Sequence, residues 1–294
     1  MTIKHLVLAG GGSGGFTVYG ALKYLNQKEF FLLNNITSIH SSSAGSIIAG
    51  LIILANDWNL LDDYILKRPW DKLININPTA LLNLWQQKGI FDKNMIKEIL
   101  IPFLKMNDLA ETTTLKELYN KTEIDLYMYT TNLNTNILET VELSHYTHPD
   151  LEFCKAITMS SAFPLMFEPI CDNSNCYIDG GLLNNFPICD CIKINPNVDE
   201  ILAINIESIN NVNNIINDTT LPLYLYSIIM KMYILINKEN KINKSNIIKN
   251  IVNCKIEDNS LSKWSQSVTD VNMREEYINI GLNSAKKFLE LMDC

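Results

Sequence analysis

The chain has 294 residues, of which 47% are hydrophobic and 19% charged, a composition that suits a folded protein with a large core and excludes intrinsic disorder. With 24 basic against 32 acidic residues the net charge is −8, so the clustered Lys and Arg that duplex nucleic acid requires are missing. The opening residues carry no basic stretch followed by an apolar run and a cleavage site, which predicts a cytoplasmic protein without a secretory signal.

"HLVLAG" (5–10) is an apolar run ending in glycine, the pattern of a buried parallel strand. Beyond the glycines, "FTVYGALKYLN" (16–26) puts Val18, Tyr19, Leu22 and Leu25 on one helical face. "NITSIH" (35–40) reads as a second strand and 44–55 as the helix that leaves it. That helix is apolar all round but too short for a bilayer, which takes about 20 residues. Strand, turn and helix, twice over, predict an α/β fold with a mainly parallel sheet.

Between 57 and 122, "DDYILKRPW", "PTALLNLWQQ", "KNMIKEILIPFL" and "TTLKELYNKT" predict short helices with proline breaks, an insertion or cover. "DLYMYTTNL" (125–133) and "ILETVELS" (137–144) predict a hairpin turning at Asn134–Asn136. "DLEFCKAITMSSAFP" (150–164) predicts a helix capped by Asp150 and stopped before Pro164. "YIDGG" (177–181) is a strand entering a glycine turn, and "EILAINIES" (200–208) another buried strand. Residues 221–237 are largely apolar, either core or a lipid-facing cover. The chain then closes on a helical stripe of Val271, Ile278, Leu282, Ala285, Phe288, Leu289 and Met292. With no linker and no repeat, one domain over 1–294 is expected, its final part (206–294) mostly helical.

Seven cysteines are an odd number without framework spacing, and no C-x-x-C occurs. "CDNSNC" (171–176) and "CDC" (189–191) lie far from the four histidines, so reduced thiols and no metal site are expected.

"GGGSGG" (10–15) places Gly10, Gly12 and Gly15 at G-x-G-x-x-G spacing between strand and helix. Such a loop can hold a pyrophosphate, stabilise an oxyanion with its free N–H groups, or simply turn. A dinucleotide would need an acidic residue at the end of the next strand, and Glu29, the nearest, precedes "FFLLNN" instead. No Lys-Ser or Lys-Thr follows, which excludes a nucleoside-triphosphate loop.

"HSSSAGS" (40–46) joins the second strand to its helix. A nucleophile elbow needs small residues two positions either side of the serine, and Ser41-Ser42-Ser43-Ala44-Gly45 meets that with Ser41 in place of the usual glycine. An N-capping serine on a core helix fits the stretch equally well. Asp179, after a strand and before Gly180-Gly181, could accept a serine proton, although D-G-G can also be a plain turn. His40, on the strand itself, is expected to be packed between sheet and helices.

Taken in order, the glycine loop, the small-x-Ser-x-Gly elbow and the D-G-G turn resemble the patatin-like phospholipase family. "LVLAGGGSGGFTVYGALKYL" is similar to its opening segment, and "KAITMSSAFPLMFEPI…YIDGGLLNNFP" to its stretch around the catalytic aspartate. The likeness covers residues 5–205. It implies a three-layer α/β/α sandwich and hydrolysis of fatty-acyl esters of phospholipids or neutral lipids, with peripheral membrane contact and no metal or cofactor. By position it implies Ser43 as nucleophile, Asp179 as base, and an oxyanion hole from Gly10, Gly11, Gly12 and Ser13. Ser41, Gly45, Gly180 and Gly181 would support the elbow and the turn. Two departures stand out: Gly14 where the family carries Arg or Lys, and Ser41 for glycine. Acyl transfer to an alcohol, or an inactive lipid-binding relative, would use the same residues.

Overall fold

The computed structural model describes residues 2–73, 84–172, 174–208, 215–242, 248–257 and 261–292; part of the helix expected at 78–87 therefore lies outside it. Strand β1 (His5–Leu8) runs parallel to β2 (Ser38–Ser42) on one side and to β9 (Ile201–Ser208) on the other. Parallel β4 (Asp125–Asn132) follows β2, and β10 (Ile251–Ile256) follows β9. Antiparallel β8 (Cys176–Asp179), then β7 (Ile170–Cys171), extend the sheet from β4, giving the order β10-β9-β1-β2-β4-β8-β7. The expected hairpin forms from β4 and β5 (Glu139–Leu143). A small separate sheet pairs β3 (Gly89–Phe91) with β6 (Leu165–Phe167).

Every residue of β2 is buried, as in a strand covered on both faces. Helix α2 (Ala44–Ala55) packs against β2 and α1 (Gly15–Gln27) against β9 and β10, with Val18, Tyr19, Leu22 and Leu25 all in the core. The mixed sheet with helices packed against it bears out the expected fold class. From β1 the strands step outward in opposite directions, through β2 to β4 and through β9 to β10. An open sheet leaves a crevice at the carboxyl ends of its strands where the order reverses. The glycine loop and the serine run leave β1 and β2 at that edge.

The cover consists of α3 (Trp58–Lys67), α4 (Trp70–Leu73), α5 (Asn94–Met106) and α6 (Leu115–Thr122), with α7 (Phe153–Ser161) beside them. Pro102 lies inside α5 and does not break it. Nor does Asp150 cap α7: the N-cap is Glu152, which makes no side-chain capping bond. Beyond α8 (Gly181–Asn184) and α9 (Ile188–Ile194) come α10 (Leu221–Ile242), α11 (Leu261–Thr269) and α12 (Val271–Met292), which lies along α1. The α12 stripe is shifted from expectation, since Val271 and Met292 are exposed while Arg274 and Tyr277 are buried. Arg274 is tolerated because its guanidinium donates to Ile65 O and Val268 O, carbonyls in the last turns of α3 and α11. The reduced-thiol expectation also needs correction: the β7–β8 register sets Cys171 opposite Cys176, and the two form a disulfide. Among the described residues no group of side chains is arranged to hold a metal.

Candidate active site

Ser43 occupies the turn between β2 and α2 with φ 53° and ψ −130°, backbone that a non-glycine residue adopts only when its surroundings enforce it. It makes no capping bond to α2, so the capped-helix alternative does not describe it. Gly45 lets α2 start this close to β1, because a Cβ there would sit 2.5 Å from Leu8 O. The Ser43 hydroxyl donates a 2.5 Å hydrogen bond to Asp179 Oδ2.

Asp179 ends β8 opposite Thr130 of β4 and is almost wholly buried. Its other oxygen, Oδ1, accepts the Gly181 N–H at 2.6 Å. Burial raises the carboxyl pKa to about 7, against the two hydrogen bonds, which favour the ionised form. The structure thus brings together two residues 136 positions apart in sequence.

The glycine loop flanks the pair. Gly10 packs directly on the elbow, where a Cβ would come 2.7 Å from Ser43 Cβ and 2.5 Å from Asn185 Oδ1. Its N–H donates to Asn185 O at 3.0 Å, so Gly10 is a supporting residue and has no amide to offer an oxyanion. Gly14 N–H is likewise spent on Gly11 O. Among the described residues nothing accepts from the N–H groups of Gly11 or Gly12, which line the same cavity as Ser43, with Ser13 beside them. At Gly14 a Cβ would lie 2.9 Å from Ile206 Cδ1, so β9 fills the space that a longer side chain would need.

Ser43, Ala44 and Asp179 open into an apolar cavity of about 160 Å³, walled by Phe16, Ile48, Met95, Phe163, Met230 and Trp264 among others. Such a site suits an aliphatic chain better than a nucleotide, and Glu29 lies in the turn after α1, not at a strand end. His40 is fully buried, stacked on its register partner Tyr127 at 4.4 Å and bonded through Nδ1 to the Tyr129 hydroxyl. Burial lowers its pKa to about 3, and its partners do not line the cavity, so His40 is a neutral packing residue.

Two residues that the motifs did not single out bind the site together. Asn185 Nδ2 donates to Gly10 O at 3.0 Å. From α10, Asn237 Nδ2 donates to Gly181 O at 3.0 Å, and its Oδ1 accepts the Asn185 N–H at 3.4 Å. Asn185 lies within the quoted "LLNNFP", whereas nothing in the sequence marks Asn237.

The model of one family, the patatin-like phospholipases, matches residues 6–192, more than half of the chain. The chain belongs to that family. A probable lipid hydrolase of Invertebrate iridescent virus 6 is 32% identical over 192 residues, 65% of this chain and 63% of that protein, so the match spans under two thirds of the relative's length. An uncharacterized protein of Acanthamoeba polyphaga mimivirus is 26% identical over 97% of this chain and 93% of its own. Among solved structures, VipD from Legionella pneumophila shares the fold, with a TM-score of 0.57 at 17% identity over 98% of this chain and 67% of VipD.

A raised carboxyl pKa makes a stability prediction. Between the unfolded value near 3.8 and the folded value of about 7, the folded state holds the Asp179 proton more tightly, so wild-type stability falls as pH rises through that window. Asp179→Asn has nothing to ionise. Urea unfolding at pH 4 to 8 should show the variant gaining on wild type up to pH 7, by at most about 4 kcal/mol, and holding a constant gap above it.

Proposed function

We propose that the protein is a serine lipid acyl hydrolase in which Ser43 is the nucleophile and Asp179 its general base. The observation that carries this reading is the Ser43 Oγ to Asp179 Oδ2 hydrogen bond at the mouth of an apolar cavity. Ser43 Oγ attacks the ester carbonyl as its proton passes to Asp179. The negative charge on the carbonyl oxygen meets the Gly11 and Gly12 N–H groups with Ser13 beside them, each donor typically worth about 3–4 kcal/mol in such a site. Asp179 returns its proton to the departing alcohol, leaving an acyl-serine. Water then gives a proton to Asp179 and attacks the acyl carbon, and the proton returns to Ser43 as the fatty acid leaves. The chain of the acid lies against the apolar wall. Ser41, Gly45, Gly180 and Gly181 support the two reacting groups, and the whole of 1–294 acts as one domain because Asn237, far beyond the motifs, reaches the Asp179 turn.

A fluorophosphonate probe should label the wild type and leave Ser43→Ala unlabelled. Labelling should fall by at least about 100-fold in Asp179→Asn, persist in His40→Gln, and in the wild type rise with pH through about 7 as Asp179 ionises. An unlabelled wild type contradicts the reading, and a loss in His40→Gln would name a different base.

The lipid-facing role of 221–237 belongs to the same proposal. On α10, Tyr226, Met230 and Tyr233 line the cavity while Leu221, Tyr224, Leu225, Ile228, Met232 and Leu235 form an exposed stripe at helical spacing. A helix apolar on both faces needs an apolar partner on each, and a lipid surface supplies the outer one. Among the described residues no helix is long and apolar enough to cross a membrane, which leaves contact along the surface. The double change Ile228→Ser and Met232→Ser should cut hydrolysis of phosphatidylcholine vesicles by about 10-fold or more while sparing a soluble short-chain ester. Equal losses on both substrates would reject the stripe as a lipid contact.

A further inference from the structure

The last turn of α7 touches both members of the Ser43–Asp179 pair. The Ser43 N–H donates to Ser160 Oγ at 3.2 Å, and Ser161 Oγ donates to Ser43 O at 3.0 Å. Two hydroxyls from one helix therefore grip the backbone on either side of the Ser43 Cα, at the residue whose φ is 53°. The same stretch also holds the backbone at Asp179. Asp179 N–H donates to Ala162 O at 2.9 Å and Gly180 N–H to Ser160 O at 3.1 Å. Carbonyls at a helix C-terminus have no partner within the helix, and here the Asp179 segment takes them.

Ser160 is itself fixed. Its hydroxyl donates to Tyr129 O on β4 at 2.7 Å and lies 2.9 Å from Ser46 Oγ, itself 3.1 Å from Ser41 Oγ. Ser41, Ser46 and Ser160 are fully buried and Ser161 almost so, so this cluster of hydroxyls is bonded within the protein. Ser41, which replaces the family's glycine, is joined to it through Ser46. The Ser43 N–H, spent on Ser160, is also withdrawn from the set that could meet an oxyanion.

We propose that Ser160 and Ser161 are positioning residues that hold the Ser43 hydroxyl in line with Asp179, with Ser41 and Ser46 bracing Ser160 from behind. The inference rests on the hydrolase reading and adds to it the part that sets the reacting distance. Neither serine touches the reacting atoms: each acts through the Ser43 backbone, while the helix end that carries them fixes the backbone of Asp179. A bond that holds geometry affects the attack more than the binding of the ester, so the loss should appear in kcat.

The test compares Ser160→Ala, Ser161→Ala and Thr158→Ala, the last removing a buried α7 hydroxyl whose bond runs to Cys154 O of its own helix. With a short-chain p-nitrophenyl ester, Ser160→Ala and Ser161→Ala should lose about 10- to 100-fold in kcat with KM within about twofold, and fluorophosphonate labelling should slow in parallel. Thr158→Ala should keep the wild-type rates whatever its melting temperature. The combined Ser160→Ala, Ser161→Ala variant should lose less than the product of the single losses, because both act on one backbone. Wild-type labelling rates in both single variants, or an equal loss in Thr158→Ala, would overturn the positioning role while leaving the hydrolase reading intact. A wild type that takes no label overturns both. If Ser160→Ala fails to fold, Ser161→Ala decides alone, since its hydroxyl bond runs to Ser43 O.

Discussion

A carboxylate removed from water is stable only if other groups replace its hydration, and Asp179 meets that constraint with two donors: the Ser43 hydroxyl and the Gly181 N–H. No ion pair reaches it among the described residues, and burial holds its pKa at about 7. That value suits the general base proposed here, basic enough to take a proton near neutrality and acidic enough to be ionised there. Each neighbouring element serves the arrangement. Strand β4 carries Thr131, whose hydroxyl donates to Asp179 O, and Thr130, which ties Met159 O of α7 to Ile178 O of β8.

The fold makes the contact possible by the way its strands are ordered. β1 and β2 are adjacent and parallel, so their two outgoing turns leave the same carboxyl edge of the sheet. Gly10 has no side chain and packs on Ser43, Asn185 ties Gly10 to α8, and Asn237 brings in α10. The apolar cavity below is closed partly by that same helix, which links the reacting groups to the face proposed to meet lipid.

Local pattern carries the first fifty residues well. Alternating apolar runs and glycine turns are short-range signals, and β1, α1 and α2 fall where the sequence puts them, while β2, expected at 35–40, runs from Ser38 to Ser42. The β4–β5 hairpin is legible for the same reason. Asp179 is only a candidate locally, because a D-G-G turn has no partner until the chain folds back 136 residues; the family resemblance raises it above a plain turn. Gly10 illustrates the opposite error: as part of a loop motif it resembles a donor, yet its N–H is consumed by Asn185, a contact that no spacing announces. Asn237, Ser160 and Ser161 reach the site by long-range hydrogen bonds between common polar residues, which leave no periodic trace. Arg274 in the α12 core is a tertiary result of the same kind.

In the proposed mechanism Ser43 carries the acyl group during turnover. Acid-quenching the protein during steady-state hydrolysis of a p-nitrophenyl acyl ester, then mapping its peptides by mass spectrometry, tests that claim directly. The account predicts one acyl adduct, on Ser43 in the segment joining β2 to α2. An adduct on another side chain, or hydrolysis that proceeds with no acyl-protein at all, would contradict it.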